Sequence, residues 1–205
     1  GTVGDACIGH MNKGGSTNHT LHLVAIARAA GIQINWTDFA ELSKIVPLLA
    51  QVYPNGMADI NHFHEAGGVG FMITQLIAAG LLHEDVETIL GHGLNRFTEA
   101  PELKADTVEW KKVSAKSGDR SVLREFAKPF QKEGGMRLVE GTIGRAIVKV
   151  SAVANEHRSV TAPARVFTSQ ASFASAFEAG EVKEDIVVEV PNQGPQTNGM
   201  PELHK

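Results

Sequence analysis

The spacing of apolar residues changes at Gly134, and no other feature of this 205-residue chain constrains its fold as strongly. Before Gly134 the apolar residues recur every three or four positions, which is the period of an amphipathic helix. After it they form short runs rich in β-branched residues, which are typical of strands. The chain is therefore predicted to be an α/β protein. The helical part of an α/β domain, residues 1–130, precedes part of a mixed β domain, residues 131–205.

Glycine and proline residues mark the ends of the predicted elements. In the first part, helices are predicted over residues 16–30, 38–52, 69–79, 84–90 and 121–127, each followed within two residues by Gly or Pro. The polar stretch 92–120 is predicted to be rich in loops. In the second part, strands are predicted over residues 136–139, 146–150, 164–167 and 186–190, with a helix around Phe173 and Phe177 that ends at Gly180. Residues 128–135 are interpreted as the linker.

The start of the first predicted helix carries the motif that is most informative about function. The run GGSTNH, residues 14–19, places two glycines before Ser16, Thr17 and Asn18, which are residue types preferred at helix N-caps. Glycines let the backbone approach a bound group closely, and the helix directs its positive end to the same place. The motif fits a phosphate, a carboxylate or a sugar-acid oxygen. The alternative interpretation is a well-capped helix behind a tight turn.

Lysine and histidine residues in the chain limit the kinds of ligand that can be expected. A nucleotide-binding phosphate loop is excluded, because Lys13 precedes the second glycine of the pattern instead of following it. His19 lies on the first helical turn, where a histidine can donate to a phosphate or carry a proton. His22 is predicted to be buried in the core. His62 and His64 have no further ligands at a zinc-site spacing, so they are predicted to lie in a loop or at the surface.

Composition excludes several classes of partner. The net charge is −4 and no basic patch is present, so nucleic acid and anionic membranes are not expected partners. No apolar run reaches the length of a membrane-spanning helix. The single cysteine, Cys7, excludes an internal disulfide framework and fits a cytoplasmic location.

Four stretches of the chain resemble, in the same order, the family of dihydroxy-acid dehydratases and 6-phosphogluconate dehydratases. They are GGSTNHTLHLVAIARAAG (14–31), ADINHFHEAGGVG (58–70), GGMRLVEGTIGRAIVKVSAV (134–153) and QGPQTNGMPELHK (193–205). His19, the run DINHF (59–63) and the ending NGMPELHK (198–205) are similar to the 6-phosphogluconate branch. Residues 1–13 are predicted to lie outside the resemblance.

The resemblance implies a fold and a chemistry that this chain carries only in part. Family members are longer and hold a 4Fe–4S cluster through three cysteines that precede the GGSTN segment, whereas this chain has Cys7 alone. Their catalytic serine follows the MPELHK ending. The chain is thus expected to be a central segment with an incomplete family fold, inactive in isolation.

The resemblance also implies roles for particular residues. Ser16, Thr17, Asn18 and His19 are expected to contact the substrate, a phosphorylated sugar acid. Glu202, in the MPE ending, is expected to be a magnesium ligand, because a hard cation prefers carboxylate oxygen. The cluster and the magnesium ion are cofactors of the full-length enzyme, and this chain is expected to bind neither. A homodimer is expected for the full-length enzyme.

Three functions are compatible with these observations. The first is a segment of an enzyme that dehydrates 6-phospho-D-gluconate to 2-keto-3-deoxy-6-phosphogluconate. The second is a segment of a dihydroxy-acid or other sugar-acid dehydratase of the same family. The third is a non-enzymatic binding or assembly module that retains the scaffold.

Overall fold

The computed structural model describes residues 2–12, 14–53, 55–194, 196 and 199, and it divides into two compact units. The first unit is Gly1–Val153 and the second is Ala154–Lys205. Along the described chain, five α-helices are followed by small two-stranded sheets, and a sixth α-helix lies between the last two strands, so the predicted α/β class is confirmed. No helix in this described part is long and apolar enough to cross a membrane.

Five α-helices are described in the first unit. They are α1 (Thr2–Asn12), α2 (Thr17–Ala29), α3 (Trp36–Ile45), α4 (Ile60–Glu65) and α5 (Gly68–Ala78). The predicted helices over 16–30 and 69–79 are confirmed by α2 and α5. Gly31 and Gly80 follow these helices with φ of 74° and 67°. These are left-handed backbone angles, which are sterically unfavourable for residues with a Cβ atom. Helices α1 and α4 were not predicted.

The predicted helix over residues 38–52 is wrong in its second half. Helix α3 ends at Ile45, because Pro47 disfavours helical angles at Val46, which has φ −90° and ψ 114°. The chain then runs extended, and Leu48 and Ala50 form isolated bridges with Gln131 and Leu123. This pairing also explains why residues 121–127 are not the predicted helix.

The predicted helix over residues 84–90 is replaced by a small hairpin of β1 (Glu87–Thr88) and β2 (Gly91–His92). The Thr88 hydroxyl donates to the Gly91 carbonyl at 2.6 Å and accepts from the Leu90 N–H at 3.1 Å, which closes the turn. In the stretch predicted as loops, β3 (Glu99–Lys104) pairs with β4 (Thr107–Lys112). Both strands are largely exposed, so their sequences lack the apolar alternation that identifies a strand.

The third hairpin of this unit agrees with the predicted strands over residues 136–139 and 146–150. Strand β5 (Met136–Gly141) pairs antiparallel with β6 (Gly144–Lys149), and both contact α3. The Met136 N–H donates to the Ser43 hydroxyl at 3.2 Å, in a buried position. Met136 also belongs to a core shared by α1, α2, α3 and α5 that contains Cys7, Ile8, Leu23, Phe39, Val46 and Leu76.

A second core joins α4 and α5 to the two extended segments around residues 50 and 122. Its buried members are Leu49, Ala50, Phe63, Ala66, Phe71, Met72, Val122 and Leu123. Because Phe63 of α4 belongs to this core, the short helix is held in place although six residues would not be helical alone.

In the described part of the second unit there are one parallel pair of strands and one α-helix. Strand β7 (Ala164–Val166) pairs with β8 (Val187–Glu189), and α6 (Gln170–Glu178) lies between them in sequence. The strands predicted over 164–167 and 186–190 and the helix that ends at Gly180 are confirmed. Ser169 and Ser172 form a reciprocal capping box at the start of α6.

Candidate functional site

The turn between α1 and α2 is built from the glycines of the GGSTNH motif. Gly14 has φ 59°, and a Cβ atom there would collide with the Asn55 amide. Gly15 donates its N–H to the His10 carbonyl at 3.0 Å, and a Cβ atom on Gly15 would overlap the His10 ring. Both positions therefore require glycine for a close approach of backbone and side chain.

Ser16 caps α2 and uses part of the N–H groups at the helix start. Its side chain accepts from the Asn18 N–H at 3.2 Å, and its carbonyl accepts from the His19 N–H at 3.0 Å. A ligand at this end therefore competes with the cap for those two donors. The side chains around the helix start must supply much of any anion binding.

His19 forms a close pair with His10 of α1. Their Nδ1 atoms are 3.0 Å apart, and the rings meet edge to face with centroids 4.7 Å apart. One ring donates and the other accepts, so the pair carries at most one positive charge while this bond is kept. His10 is buried and His19 is exposed. The bond places one proton between the two rings next to the helix start.

A chain of hydrogen bonds connects this turn to the end of β6. The Ser151 hydroxyl donates to the Asn55 side-chain oxygen at 2.9 Å, and the Asn55 amide nitrogen donates to the Gly14 carbonyl at 2.6 Å. Ser151 is buried, and the neighbouring Val150 N–H donates to the Gly135 carbonyl at 2.7 Å. The relay holds three distant parts of the sequence together.

These elements enclose a cavity of about 300 Å³, which we call the α2 cavity. It is lined by Gly14, Gly15, Ser16, His19, Val52, Tyr53, Asn55, Ile60, Phe63 and Lys149. Polar groups face it from the helix start and the relay, and apolar side chains come from α4. This combination of an apolar wall and a few converging polar groups is typical of small-molecule sites.

Among the described residues that line this cavity, Lys149, the last residue of β6, is the one lysine or arginine, and none of them carries a carboxylate. Within the residues that the structure describes, no carboxylate oxygen lies within 4 Å of its ammonium group in an ion pair. Partial burial lowers the pKa of Lys149 from its usual range.

The structure brings together some of the residues predicted from the motif. Ser16 and His19 line the α2 cavity, whereas Thr17 and Asn18 do not, and Asn18 is buried in the helix. Glu202 lies outside the described residues.

One of the other histidine predictions is wrong and one is confirmed. His22 is exposed, so its predicted burial in the core is wrong. His62 and His64 lie at the surface, as predicted, on helix α4, where the His62 Nδ1 atom lies 2.8 Å from the Asp59 carboxylate.

The residues present do not fit an iron–sulfur cluster. Cys7 is buried in the core, and burial raises its thiol pKa, which disfavours the thiolate that binds metal. No group of three or more His, Cys, Asp or Glu side chains in the described ranges could hold a metal ion.

Two family models match the chain. Residues 2–97 match the model described as dihydroxy-acid/6-phosphogluconate dehydratase N-terminal. Residues 121–205 match the corresponding C-terminal model. Because the first match begins at residue 2, the prediction that residues 1–13 lie outside the resemblance is wrong.

Individual relatives agree with these matches. A phosphogluconate dehydratase of Pseudomonas aeruginosa is 58% identical over 195 residues, which are 95% of this chain and 32% of the relative. One from Rhizobium meliloti is 49% identical over 205 residues, which are 100% of this chain and 34% of the relative. A dihydroxy-acid dehydratase of Caldanaerobacter subterraneus is 36% identical over 196 residues, which are 94% of this chain and 33% of the relative. The chain thus spans about one third of the length of these relatives.

Proposed function

Because the chain belongs to the dihydroxy-acid/6-phosphogluconate dehydratase family, we propose that it is a segment of a 6-phosphogluconate dehydratase. The whole enzyme would remove water from 6-phospho-D-gluconate and form 2-keto-3-deoxy-6-phosphogluconate. The observation that carries this proposal is the difference in identity between relatives. Those named phosphogluconate dehydratase reach 58%, against 36% for the dihydroxy-acid dehydratase.

The reaction needs a base and a Lewis acid. A base removes the proton beside the carboxylate, and the hydroxyl at the next carbon leaves only when a Lewis acid stabilises it. The 4Fe–4S cluster and magnesium that the resemblance implies would supply that Lewis acid in the full-length enzyme, with Glu202 as a magnesium ligand. We expect the isolated chain to be inactive, since its single buried thiol does not fit a cluster.

We assign substrate binding to the residues around the start of α2. Ser16 and His19 would contact the phosphorylated end of the substrate in the α2 cavity, since hydroxyl and imidazole groups can both donate to phosphate oxygens. Thr17 and Asn18 would act from the first turn of the same helix. The substrate is thus a phosphorylated sugar acid. We further propose that the full-length enzyme is a cytoplasmic homodimer.

The test is His19→Ala in the full-length enzyme. Loss of one charge-assisted hydrogen bond should weaken 6-phosphogluconate binding roughly ten- to a hundredfold, and gluconate, which lacks the phosphate, should be affected less. His22→Ala is the matched control, because His22 lies on the same helix but is exposed and outside the cavity lining. The KM values and the calorimetric affinities for both acids are compared between His19→Ala and His22→Ala.

Two results would contradict the proposal in different ways. Equal weakening of both acids would show that His19 does not contact the phosphate. An unmodified enzyme that dehydrates a dihydroxy acid but not 6-phosphogluconate would instead place the chain in the sister branch of the family.

A further inference from the structure

We propose that Lys149 is a substrate-binding residue whose ammonium group pairs with the phosphate of the substrate in the α2 cavity. This inference rests on the proposed function, because it assumes a phosphorylated sugar acid. Lys149 is 130 residues from His19 in sequence, and tertiary packing brings it to the lining of the same cavity at the helix start.

The ammonium group of Lys149 is partly buried and has no anionic partner among the described residues. A partly buried ammonium group is costly unless an anion lies nearby. Among the described residues, no carboxylate shares the cavity with Lys149 or forms an ion pair with it. A bound anion would neutralise the charge of the Lys149 ammonium group. The lowered pKa of Lys149 agrees with this, because burial disfavours the charged form.

Hydrogen bonds fix the position of Lys149 beside the start of α2. Ser151, two residues beyond Lys149, is fixed through Asn55 to the Gly14 carbonyl by hydrogen bonds of 2.9 and 2.6 Å. The Val150 N–H between them is bonded to the Gly135 carbonyl. The end of β6 is therefore anchored to the turn that precedes α2. The ammonium group faces the same cavity as Ser16 and His19 because its backbone is held there.

The donors around the α2 cavity match a phosphate better than a carboxylate. A phosphate monoester carries a charge of about −1.5 to −2 at pH 7 and three strong acceptor oxygens. A carboxylate carries one charge on two oxygens. The cavity offers an ammonium group, a serine hydroxyl and an imidazole, from three separate chain positions. Donors that converge from three positions match the three phosphate oxygens better than a planar carboxylate.

The experiment compares three variants of the full-length enzyme. Lys149→Met should weaken 6-phosphogluconate binding roughly ten- to a hundredfold while changing gluconate binding little. Lys149→Arg keeps the charge and should retain most of the affinity. Lys128→Met is the matched control, because Lys128 is exposed and outside the cavity lining. Calorimetric titration with 6-phosphogluconate, gluconate and inorganic phosphate measures the three affinities.

A second measurement does not depend on the folding of a variant. In the unmodified enzyme, 6-phosphogluconate should protect Lys149, but not Lys128, from acetylation as followed by mass spectrometry. Equal loss of both acids in Lys149→Met, unchanged affinity, or no protection would each overturn the inference. If the unmodified enzyme binds no 6-phosphogluconate at all, the proposed function fails instead, so the two failures are distinguishable.

Discussion

The pairing of His10 with His19 depends on the absence of a side chain at Gly15. The His10 ring occupies the space that a Cβ atom on Gly15 would fill, and this position lets its Nδ1 atom reach His19 at 3.0 Å. Rotation of either ring would break that bond. Gly15 therefore does more than shape a turn. It leaves room for the His10 ring, and His10 in turn holds His19, which lines the α2 cavity.

Gly15→Ala should lower the free energy of unfolding by about 1–3 kcal/mol, the usual cost of overpacking, and should weaken 6-phosphogluconate binding. Gly9→Ala is the control. A Cβ atom at Gly9 meets nothing within 4 Å, and removing a glycine from the interior of α1 should stabilise the chain by up to about 1 kcal/mol. Urea denaturation of both variants measures the difference. Similar stabilities would show that His10 is not confined by Gly15.

The sequence indicated those residues of the α2 cavity that are neighbours in the chain, but not those that are distant in sequence. Ser16 and His19 could be identified because a cap and a first helical turn are local features. Asn55 and Lys149 reach the cavity, and His10 reaches His19, only through tertiary packing. The one local signal at Asn55 is the run Pro54-Asn55-Gly56, which indicated a turn but not a contact with Gly14.

Helix α4 is an element whose stability depends on its first residue. It has six residues, and the Asp59 carboxylate caps it by accepting from the N–H groups of Asn61 and His62 at 2.8 and 3.1 Å. These N–H groups, His62 first, lower the pKa of Asp59. Since Ile60 and Phe63 of α4 line the α2 cavity, the cap also supports its apolar wall.

Acid should therefore loosen α4. A carboxyl group whose pKa is lower in the folded state than in the unfolded state stabilises the fold at pH values above the unfolded pKa. For an aspartate this stabilisation is lost as the pH falls below about 4 and through the pKa of the folded state. Protection of the Phe63 and Ala66 amides from hydrogen exchange should decline in that range. Asp59→Asn, which keeps an oxygen for the cap but does not titrate, should abolish the decline. If both proteins lose protection alike, Asp59 is not the titrating group.

At the scale of elements, local signals predicted helices α2, α5 and α6 and the strands β5, β6, β7 and β8, but not how these strands pair. They failed where tertiary contacts outweigh local preference. Residues 46–52 have an apolar pattern that is compatible with a helix, but in the structure they are extended and bridge to the segments around 123 and 131. The hairpin of β3 and β4 is largely exposed and turns at Ala105 and Asp106, whose φ values of 45° and 66° the sequence did not indicate.

The whole chain can be divided at three places. The change of apolar spacing predicts a boundary between residues 130 and 131. The structure divides into compact units after Val153. The two family models leave residues 98–120 between them. The predicted boundary stays a prediction, because a compact unit and a domain of the full-length enzyme need not end at the same residue.

Limited digestion with trypsin tests these boundaries, and we expect the first cleavage after Arg158 rather than after Lys132. The Lys132 and Arg158 side chains are both exposed, so the order of cleavage depends on how firmly the backbone is held around each residue. Around Lys132, the Phe130 N–H donates to the Leu48 carbonyl at 2.9 Å and the Gly134 N–H donates to the Ser43 carbonyl at 2.6 Å, contacts that must break before a protease can bind an extended segment. Around Arg158, the His157 N–H bonds within its own turn.

Arg158→Gln is the matched variant for this digestion. It should delay the first cleavage while leaving the slower cleavage after Lys132 unchanged, because it removes a target residue without altering the backbone contacts of residues 130–134. Fragment masses over time give the order of the cuts. A first cut after Lys132 would instead support the boundary near residue 130, and it would mean that the bonds to Ser43 and Leu48 open more readily than the turn at Arg158.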